Sequence, residues 1–178
     1  MFQRLLCTLA VAAALAGCAA FQGPKATATL APTTGNSASG TVRFEQTGKG
    51  VLVSGEIRGL KPNAEHGFHV HEKGDCSSGD GMSTGGHFNP DAKPHGQHSQ
   101  GMHHTGDLPS LKADASGVAT FSFETSTISL GSGGADIVGK GLIVHRDPDD
   151  YKTQPTGNSG PRLACAVIAP APRQASSY

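Results

Sequence analysis

Eight of the nine histidines in this 178-residue chain fall within residues 66–104. His69 and His71 form an H-x-H pair in a short apolar run, and the two-residue period of a β-strand would point both imidazoles to one face. Such a pair places two metal ligands side by side before any ion arrives. Alone, an H-x-H pair is weak evidence for a metal site, so the prediction depends on the residues that follow it.

The residues beyond this pair complete two candidate ligand sets. His87, His95 and His104 are spread along a glycine-rich stretch, Asp107 adds an anionic oxygen, and His145 ends a second apolar run. Three imidazoles and one carboxylate suit Zn(II) in a closed tetrahedral set, whereas several imidazoles with an open position suit Cu(II). The pattern predicts two unlike metal sites. The alternative is a solvated, metal-scavenging tract.

The elements that must position these ligands are strands. The chain has 25 Gly and 11 Pro but only 16% charged residues, which disfavours long surface helices. Strand-compatible runs cover residues 26–31, 41–45, 50–57, 67–71, 118–123, 137–145 and 163–169. Alternation of polar and apolar residues is clearest in the second and fifth runs. Seven or eight short strands predict an all-β sandwich or barrel.

Residues 72–111 and 146–162 lack the pattern of a β-strand. A structureless stretch of this length inside a compact domain needs another source of order, which metal ions and a disulfide could supply. The chain carries 14 Lys+Arg against 14 Asp+Glu. Because it has no basic excess to neutralise phosphates, a nucleic-acid partner is excluded.

The N-terminus predicts export. Residues 1–17 combine one Arg with an apolar run too short to span a bilayer, as in a signal peptide. Residues 15–18 (LAGC) resemble a bacterial lipobox, which predicts cleavage before Cys18 and its lipidation; the alternative is ordinary cleavage that leaves a free thiol. The predicted organisation is a signal peptide (1–17), a lipidated tether (18–24), one domain (25–170) and a flexible tail (171–178). We therefore expect a membrane-tethered protein of the periplasm.

Cleavage would leave three cysteines, Cys18, Cys76 and Cys165. With Cys18 acylated, the other two form an even pair in an oxidising compartment, where a disulfide is expected. The alternative is two buried thiols.

Several motifs together resemble copper/zinc superoxide dismutases, in particular their exported bacterial branch. They are residues 67–72 (GFHVHE), 85–90 (GGHFNP), 104–108 (HTGDL), 144–145 followed by 149–150, and 160–165 (GPRLAC). The resemblance covers about residues 25–170. It implies an eight-stranded Greek-key β-barrel or immunoglobulin-like sandwich, with the two non-strand stretches as functional loops. It also implies the Cys76–Cys165 disulfide.

Copper and zinc are the cofactors that the resemblance implies. The implied copper ligands are His69, His71, His87 and His145, and the implied zinc ligands are His87, His95, His104 and Asp107. His87 would bridge both ions as an imidazolate and relay a proton. Arg162 would attract the anionic substrate, and Asp149 would link His69 to His95 through their outer nitrogens.

Three histidines fall outside these sets. His66 is predicted to be structural, satisfied by backbone hydrogen bonds. His103 competes in register with His104, which we choose because its spacing to His95 and Asp107 matches the family pattern. For His98 and His103, a weak hypothesis is that they raise affinity for arriving copper.

The implied function is dismutation of superoxide to dioxygen and hydrogen peroxide, protecting the cell envelope. A non-enzymatic periplasmic copper/zinc-binding protein on the same fold is the alternative, and a metal-assisted hydrolase is disfavoured because the zinc set looks closed. With zero net charge, attraction of the anion must be local, at Arg162. A monomer and a homodimer both stay open.

Overall fold

The computed structural model describes residues 23–172. Its strands are β1 (Lys25–Pro32), β2 (Ser39–Gln46), β3 (Val51–Arg58), β4 (Glu65–His66), β5 (Phe68–His71), β6 (Leu111–Lys112), β7 (Ala119–Thr125), β8 (Gly141–His145), β9 (Arg162–Val167) and β10 (Ala169–Pro170). A single 3-10 turn, Met82–Thr84, is the one helical element in this part of the chain. The predicted signal peptide, Cys18, most of the tether and residues 173–178 lie outside the described residues.

Between residues 23 and 172 there is no helix of the length and apolarity that a bilayer crossing requires.

Eight strands form one curled antiparallel sheet. Its order is β5-β8-β9-β1-β2-β3-β7, with β10 also paired to β1, while β4 and β6 form a separate two-stranded ladder. Neighbours that are distant in sequence, such as β1 with β9 and β3 with β7, require the crossing connections of a Greek key. The predicted all-β Greek-key barrel is confirmed.

Alternating burial explains the strands on the β1–β3 side of the barrel. Ala26, Ala28 and Leu30 of β1 face the core, while the residues between them are half-buried or exposed. On β2 and β3, Phe44 lies directly opposite Val53, and both side chains are fully buried. This side has one apolar face and one solvated face, as an antiparallel sheet permits.

Strand β8 differs, because all five of its residues are buried. The barrel core covers one of its faces and the long loops cover the other. A strand covered on both sides reads as a continuous apolar run rather than an alternating one. This strand and its neighbour β5 form the floor on which the candidate site is built.

The β8–β9 pairing contains a bulge between Val144 and His145. Val144 pairs with Ala164, but His145 pairs with Arg162, so Leu163 is the extra residue. A bulge of this kind re-aims the side chains beside it. As a result, His145 and Arg162 become cross-strand partners at the end of the ladder.

The predicted disulfide is confirmed. Cys76 and Cys165 are bonded, with their Cα atoms 6.0 Å apart. Cys165 lies in β9, opposite Ile143 of β8, and Cys76 lies early in the loop of residues 72–110. The bond therefore fixes that loop to the central sheet.

The strand bounds differ from the sequence prediction at one clear point. The run predicted at residues 137–145 is a strand only from Gly141. Before it, the Lys140 N–H donates to the Ile137 carbonyl in a turn, and Gly139 has a φ of 80°. A left-handed glycine inside the apolar run ends the extended chain there.

Candidate metal centre

Two groups of ligand-type side chains lie against the outer face of β5 and β8. We call the first the four-histidine group, which comprises His69, His71, His87 and His145. We call the second the mixed group, which comprises His87, His95, His104 and Asp107. Within each group, one ligand atom from every residue lies within 4.8 Å of the others, and all the residues are buried. The structure thus brings together every ligand predicted from the sequence.

Backbone pairing carries the loop of residues 72–110 into the site. Isolated bridges join His71 to His87 and His69 to Asp107. Between them, the Phe88 N–H donates to the Val70 carbonyl at 2.8 Å, and the Val70 N–H donates to the Gly106 carbonyl at 2.9 Å. The loop therefore behaves as two further strand fragments beside β5, which sets the positions of His87 and Asp107.

The mixed group converges on Asp107. Its Oδ1 lies 2.9 Å from His87 Nδ1 and 3.4 Å from His104 Nδ1, and its Oδ2 lies 3.0 Å from His95 Nδ1. The backbone N–H of His104 also donates to Oδ2, at 2.9 Å. Three imidazole Nδ1 atoms thus surround one carboxylate, which is the donor set of a closed tetrahedral zinc site.

His87 is the one residue that belongs to both groups. Its Nδ1 faces Asp107, whereas its Nε2 is buried without a hydrogen-bond partner among residues 23–172. The Nδ1 of His69 is buried and unpartnered in the same way. Leaving a buried polar atom unpaired costs about 1–3 kcal/mol. Unpaired nitrogens that face a cluster of imidazoles fit a metal ion in the four-histidine group.

In several of these histidines, the ring nitrogen that points away from the centre of its group, here called the outer nitrogen, is hydrogen-bonded to a carboxylate or a backbone carbonyl. Asp149 accepts hydrogen bonds from His69 Nε2 at 2.7 Å and His95 Nε2 at 2.8 Å. The Nδ1 atoms of His71 and His145 lie 2.9 Å and 3.1 Å from the carbonyls of Gly85 and Gly160. Each contact places a proton on the outer nitrogen and leaves the inner nitrogen free for a metal. Asp149 lies between the two groups, as predicted from sequence.

Burial and hydrogen bonding set the protonation of the site. Burial lowers the pKa of His71 and of His145 well below the usual value, and it lowers the pKa of His87 to about 4. At neutral pH these imidazoles are uncharged, as metal ligands must be. Burial also disfavours charge on His95, but hydrogen bonds to Asp107 and Asp149 outweigh it and raise the pKa of His95 to about 9. His95 must therefore lose a proton when its inner nitrogen binds an ion.

Arg162 is held beside the four-histidine group. Its Nη1 donates to the Gly81 carbonyl at 2.6 Å and to Thr84 Oγ1 at 2.7 Å. Its Nη2 donates to the Gly85 carbonyl at 2.7 Å, the same oxygen that accepts from His71. The guanidinium is thus tied through one carbonyl to a member of the four-histidine group, and it is half-buried.

The remaining histidines lie outside both groups. His66 has its Nδ1 2.9 Å from the His145 carbonyl, which is the predicted kind of backbone contact, but its Nε2 is buried without a partner among residues 23–172. His98 and His103 donate from Nδ1 to the carbonyls of Asp107 and His104. Of the register pair 103/104, it is His104 that joins the mixed group.

Sequence reasoning missed two supports of the site. Gln154 exchanges hydrogen bonds of 2.8 Å and 2.9 Å with the backbone of His95, which anchors that ligand to the loop of residues 146–161. Nothing in the sequence distinguishes this glutamine. Gly85 has a φ of 74°, and a side chain there would collide with Glu72. The Gly-Gly pair at 85–86 signals such a turn, but it does not show which carbonyl the turn presents.

The fold and the site together define a class of protein. A Greek-key β-barrel that carries two adjoining buried ligand groups, with one histidine common to both, is a metalloprotein built for two ions in close contact.

Comparisons with known proteins identify the family. A profile of the family described as copper/zinc superoxide dismutase (SODC) matches residues 38–168. The chain is 44% identical over 135 residues to superoxide dismutase [Cu-Zn] of Paramecium bursaria Chlorella virus 1, covering 72% of this chain and 71% of the viral one. It is 44% identical over 138 residues to the Saccharomyces cerevisiae enzyme of the same name, covering 73% of this chain and 88% of that one.

A solved structure supports the same family. The crystal structure of a double mutant of a SOD-like protein from Bacillus subtilis superposes with a TM-score of 0.73 at 36% identity, covering 80% of this chain and 96% of that one. The chain belongs to the copper/zinc superoxide dismutase family. It is an enzyme of that type, and its metals are copper and zinc.

Proposed function

We propose that superoxide is dismutated to dioxygen and hydrogen peroxide at the four-histidine group, which holds copper, while the mixed group holds zinc. The observation that carries this assignment is His87, which presents Nδ1 to one group and an unpartnered Nε2 to the other. The assignment follows donor chemistry. A closed set of three imidazoles and a carboxylate suits zinc, and an all-imidazole set suits copper.

When bound by the four-histidine group, copper would supply the one-electron redox chemistry that dismutation requires, whereas zinc is redox-inert. The protein must supply orientation and a proton. Among residues 23–172 the buried Nε2 of His87 has no hydrogen-bond partner, so it can hold one of the two protons that hydrogen peroxide requires and release it to the product. Its ring stays in place meanwhile, because Nδ1 remains with the mixed group.

The direct test is kinetic. The purified mature chain, loaded with copper and zinc, should accelerate the decay of pulse-generated superoxide, and the same protein loaded with zinc alone should not. A metal-loaded protein without copper-dependent acceleration would instead be the non-enzymatic copper/zinc-binding alternative.

Arg162 is proposed to attract and orient superoxide. Replacing Arg162 with Gln should slow superoxide decay by about tenfold, since focused positive charge at a site raises association rates by factors of 10 to 1,000. The remaining rate should also depend less on ionic strength, because the attraction it loses is electrostatic. Stopped-flow measurements over a salt series would show both effects.

The matched control for this change is Arg146→Gln. Arg146 is an exposed arginine paired with Asp147 at 2.9 Å. Among residues 23–172, Asp147 is the one hydrogen-bond partner of its side chain. Equal slowing by the two substitutions would contradict a specific role for Arg162.

Asp149 is proposed to hold ligands of both metals in their binding tautomers. Asp149→Asn should weaken zinc retention by about 10- to 100-fold, the usual cost of losing an outer hydrogen-bond partner. An amide has one acceptor oxygen, so it cannot accept from His69 and His95 in the way that a carboxylate does. Competition with a zinc chelator measures the effect. Asp150→Asn, at an exposed neighbour that bonds Thr153, should leave retention unchanged, and a loss as large as that of Asp149→Asn would contradict the proposal.

The protein is further proposed to act in the periplasm as a lipoprotein anchored through Cys18, protecting the cell envelope. The lipobox-like residues 15–18 and the preceding apolar run support this. Labelling with a radioactive fatty acid should mark the wild-type chain and not a Cys18→Ala variant. Equal labelling of the two would refute the anchor. Sedimentation velocity on the unlipidated variant would decide between the monomer and the homodimer.

A further inference from the structure

His98 and His103 form a half-buried histidine pair near the surface, outside the two ligand groups. Their ring centroids are 5.4 Å apart with the planes inclined at 52°. The rings of His95 and His104 in the mixed group have the same separation, 5.4 Å, and a similar inclination of 59°. The comparison concerns ring spacing only, because His95 and His104 present Nδ1 to their group, whereas His98 and His103 would present Nε2 to an ion.

A local reversal of the chain brings the pair together. The Gln100 N–H donates to the Gln97 carbonyl at 3.0 Å. Ser99 and Gly101 both have a φ of 62°, the left-handed conformation that turns require. On the return path the backbone of Met102 packs against Gly96, where a side chain would collide with the Met102 carbonyl. The geometry of the pair is thus fixed by backbone contacts.

The tautomer of each ring is fixed as well. The Nδ1 of His98 lies 3.0 Å from the Asp107 carbonyl, and the Nδ1 of His103 lies 2.7 Å from the His104 carbonyl. A carbonyl can only accept, so each Nδ1 carries the proton of the neutral ring and each Nε2 keeps its lone pair. His71 and His145 of the four-histidine group are oriented by contacts of the same kind, from Nδ1 to a backbone carbonyl.

Met102 precedes His103 in the sequence, and its thioether is a soft donor. Its side chain is 67% exposed, although it is large and apolar. His98 and His103 are both half-buried, and His103 also lines a surface cavity of about 420 Å³ with Asp91 and Thr105. An incoming ion can therefore reach this side of the loop. A thioether beside two imidazoles favours a soft ion such as copper(I) over hard ions such as magnesium and calcium.

We propose that His98, His103 and Met102 form a third metal site, which binds one copper(I) ion at the surface of the metal loop. This site is distinct from the buried centre. The two histidines of this site contact the backbone carbonyls of Asp107 and His104, which belong to the mixed group. The ion would therefore lie beside the mixed group but outside it. It goes beyond the dismutase reaction, which needs only the buried ions.

The test uses protein with both buried groups filled. Under anaerobic, reducing conditions it is titrated with copper(I) against a chromophoric copper(I) chelator. The wild-type chain should take up one further copper ion. The double variant His98→Gln/His103→Gln should take up none. Met102→Leu should weaken this third binding by about tenfold, a typical cost for losing one supporting group at a metal site.

Met82→Leu is the matched control, because Met82 is also exposed, at 60%, and lies outside the loop reversal. It should bind the third copper as the wild type does. Superoxide decay by Met82→Leu and Met102→Leu should match the wild type, which shows that both fold and keep the buried centre. The proposal is overturned if the wild type binds no third ion, if the double variant still binds it, or if Met102→Leu and Met82→Leu bind it equally.

Discussion

Replacing His145 with Ala is expected to reduce copper-dependent superoxide decay by more than about 100-fold, because losing even an outer partner of a metal ligand costs 10- to 100-fold. His145 is buried at the end of β8, and its Nε2 lies 3.4 Å from His71 Nε2 across the four-histidine group. Alanine removes the proposed ligand and leaves a buried space, since His145 is only 4% exposed. Stopped-flow superoxide decay with copper supplied in excess would measure the loss.

Zinc content is the internal control for this variant. His145 does not belong to the mixed group, so the variant should still bind one zinc ion per chain. Retained zinc together with lost activity would separate a defect at copper from general unfolding. Undiminished activity would remove His145 from the copper site and with it the assignment of the four-histidine group.

Removing the disulfide is expected to have the second large effect, this time on stability. Cys76 and Cys165 are separated by 89 residues in sequence. Closing a loop of that length stabilises the folded state by about 4–5 kcal/mol in the chain-entropy account. A Cys76→Ser/Cys165→Ser variant should therefore unfold at a clearly lower urea concentration than the oxidised wild type.

The comparison must be made on metal-free protein, since bound ions stabilise the folded state by mass action. Reduced wild-type protein serves as the control and should unfold with the variant. Activity of the metal-loaded variant should fall too, because the disulfide fixes the loop whose Gly81, Thr84 and Gly85 hold Arg162. Coincident unfolding of the variant and the oxidised wild type would contradict the predicted contribution.

Much of the fold could be predicted because its signals are local. The strands β2 and β7 alternate in sequence. β2 (Ser39–Gln46) extends its predicted run at both ends, whereas β7 (Ala119–Thr125) begins one residue later and ends two residues later than predicted. The ligand groups were predictable for a different reason. Histidine is uncommon, so the cluster of candidate ligands is visible even where no secondary structure exists. The division of that cluster into two groups that share His87 is what the family resemblance implies.

Other parts of the fold depend on contacts that leave no local pattern. β4 and β6 are two residues each, and they pair across a long separation, Glu65 with Lys112 and His66 with Leu111. Two residues cannot show a period. The left-handed turn at Gly139 likewise interrupts an apolar run that continues on both sides, so the run looks longer than the strand that it contains.

The β8–β9 pairing also constrains how this chain can change. His145, Arg162 and Cys165 take their positions from a single ladder, with His145 opposite Arg162 and Ile143 opposite Cys165. Because side chains alternate along a strand, deleting one residue from β8 would turn every following side chain to the other face. One such deletion would misplace His145, the residue proposed as a copper ligand, and would disrupt the pairing that aligns β8 with Arg162 and Cys165 of β9.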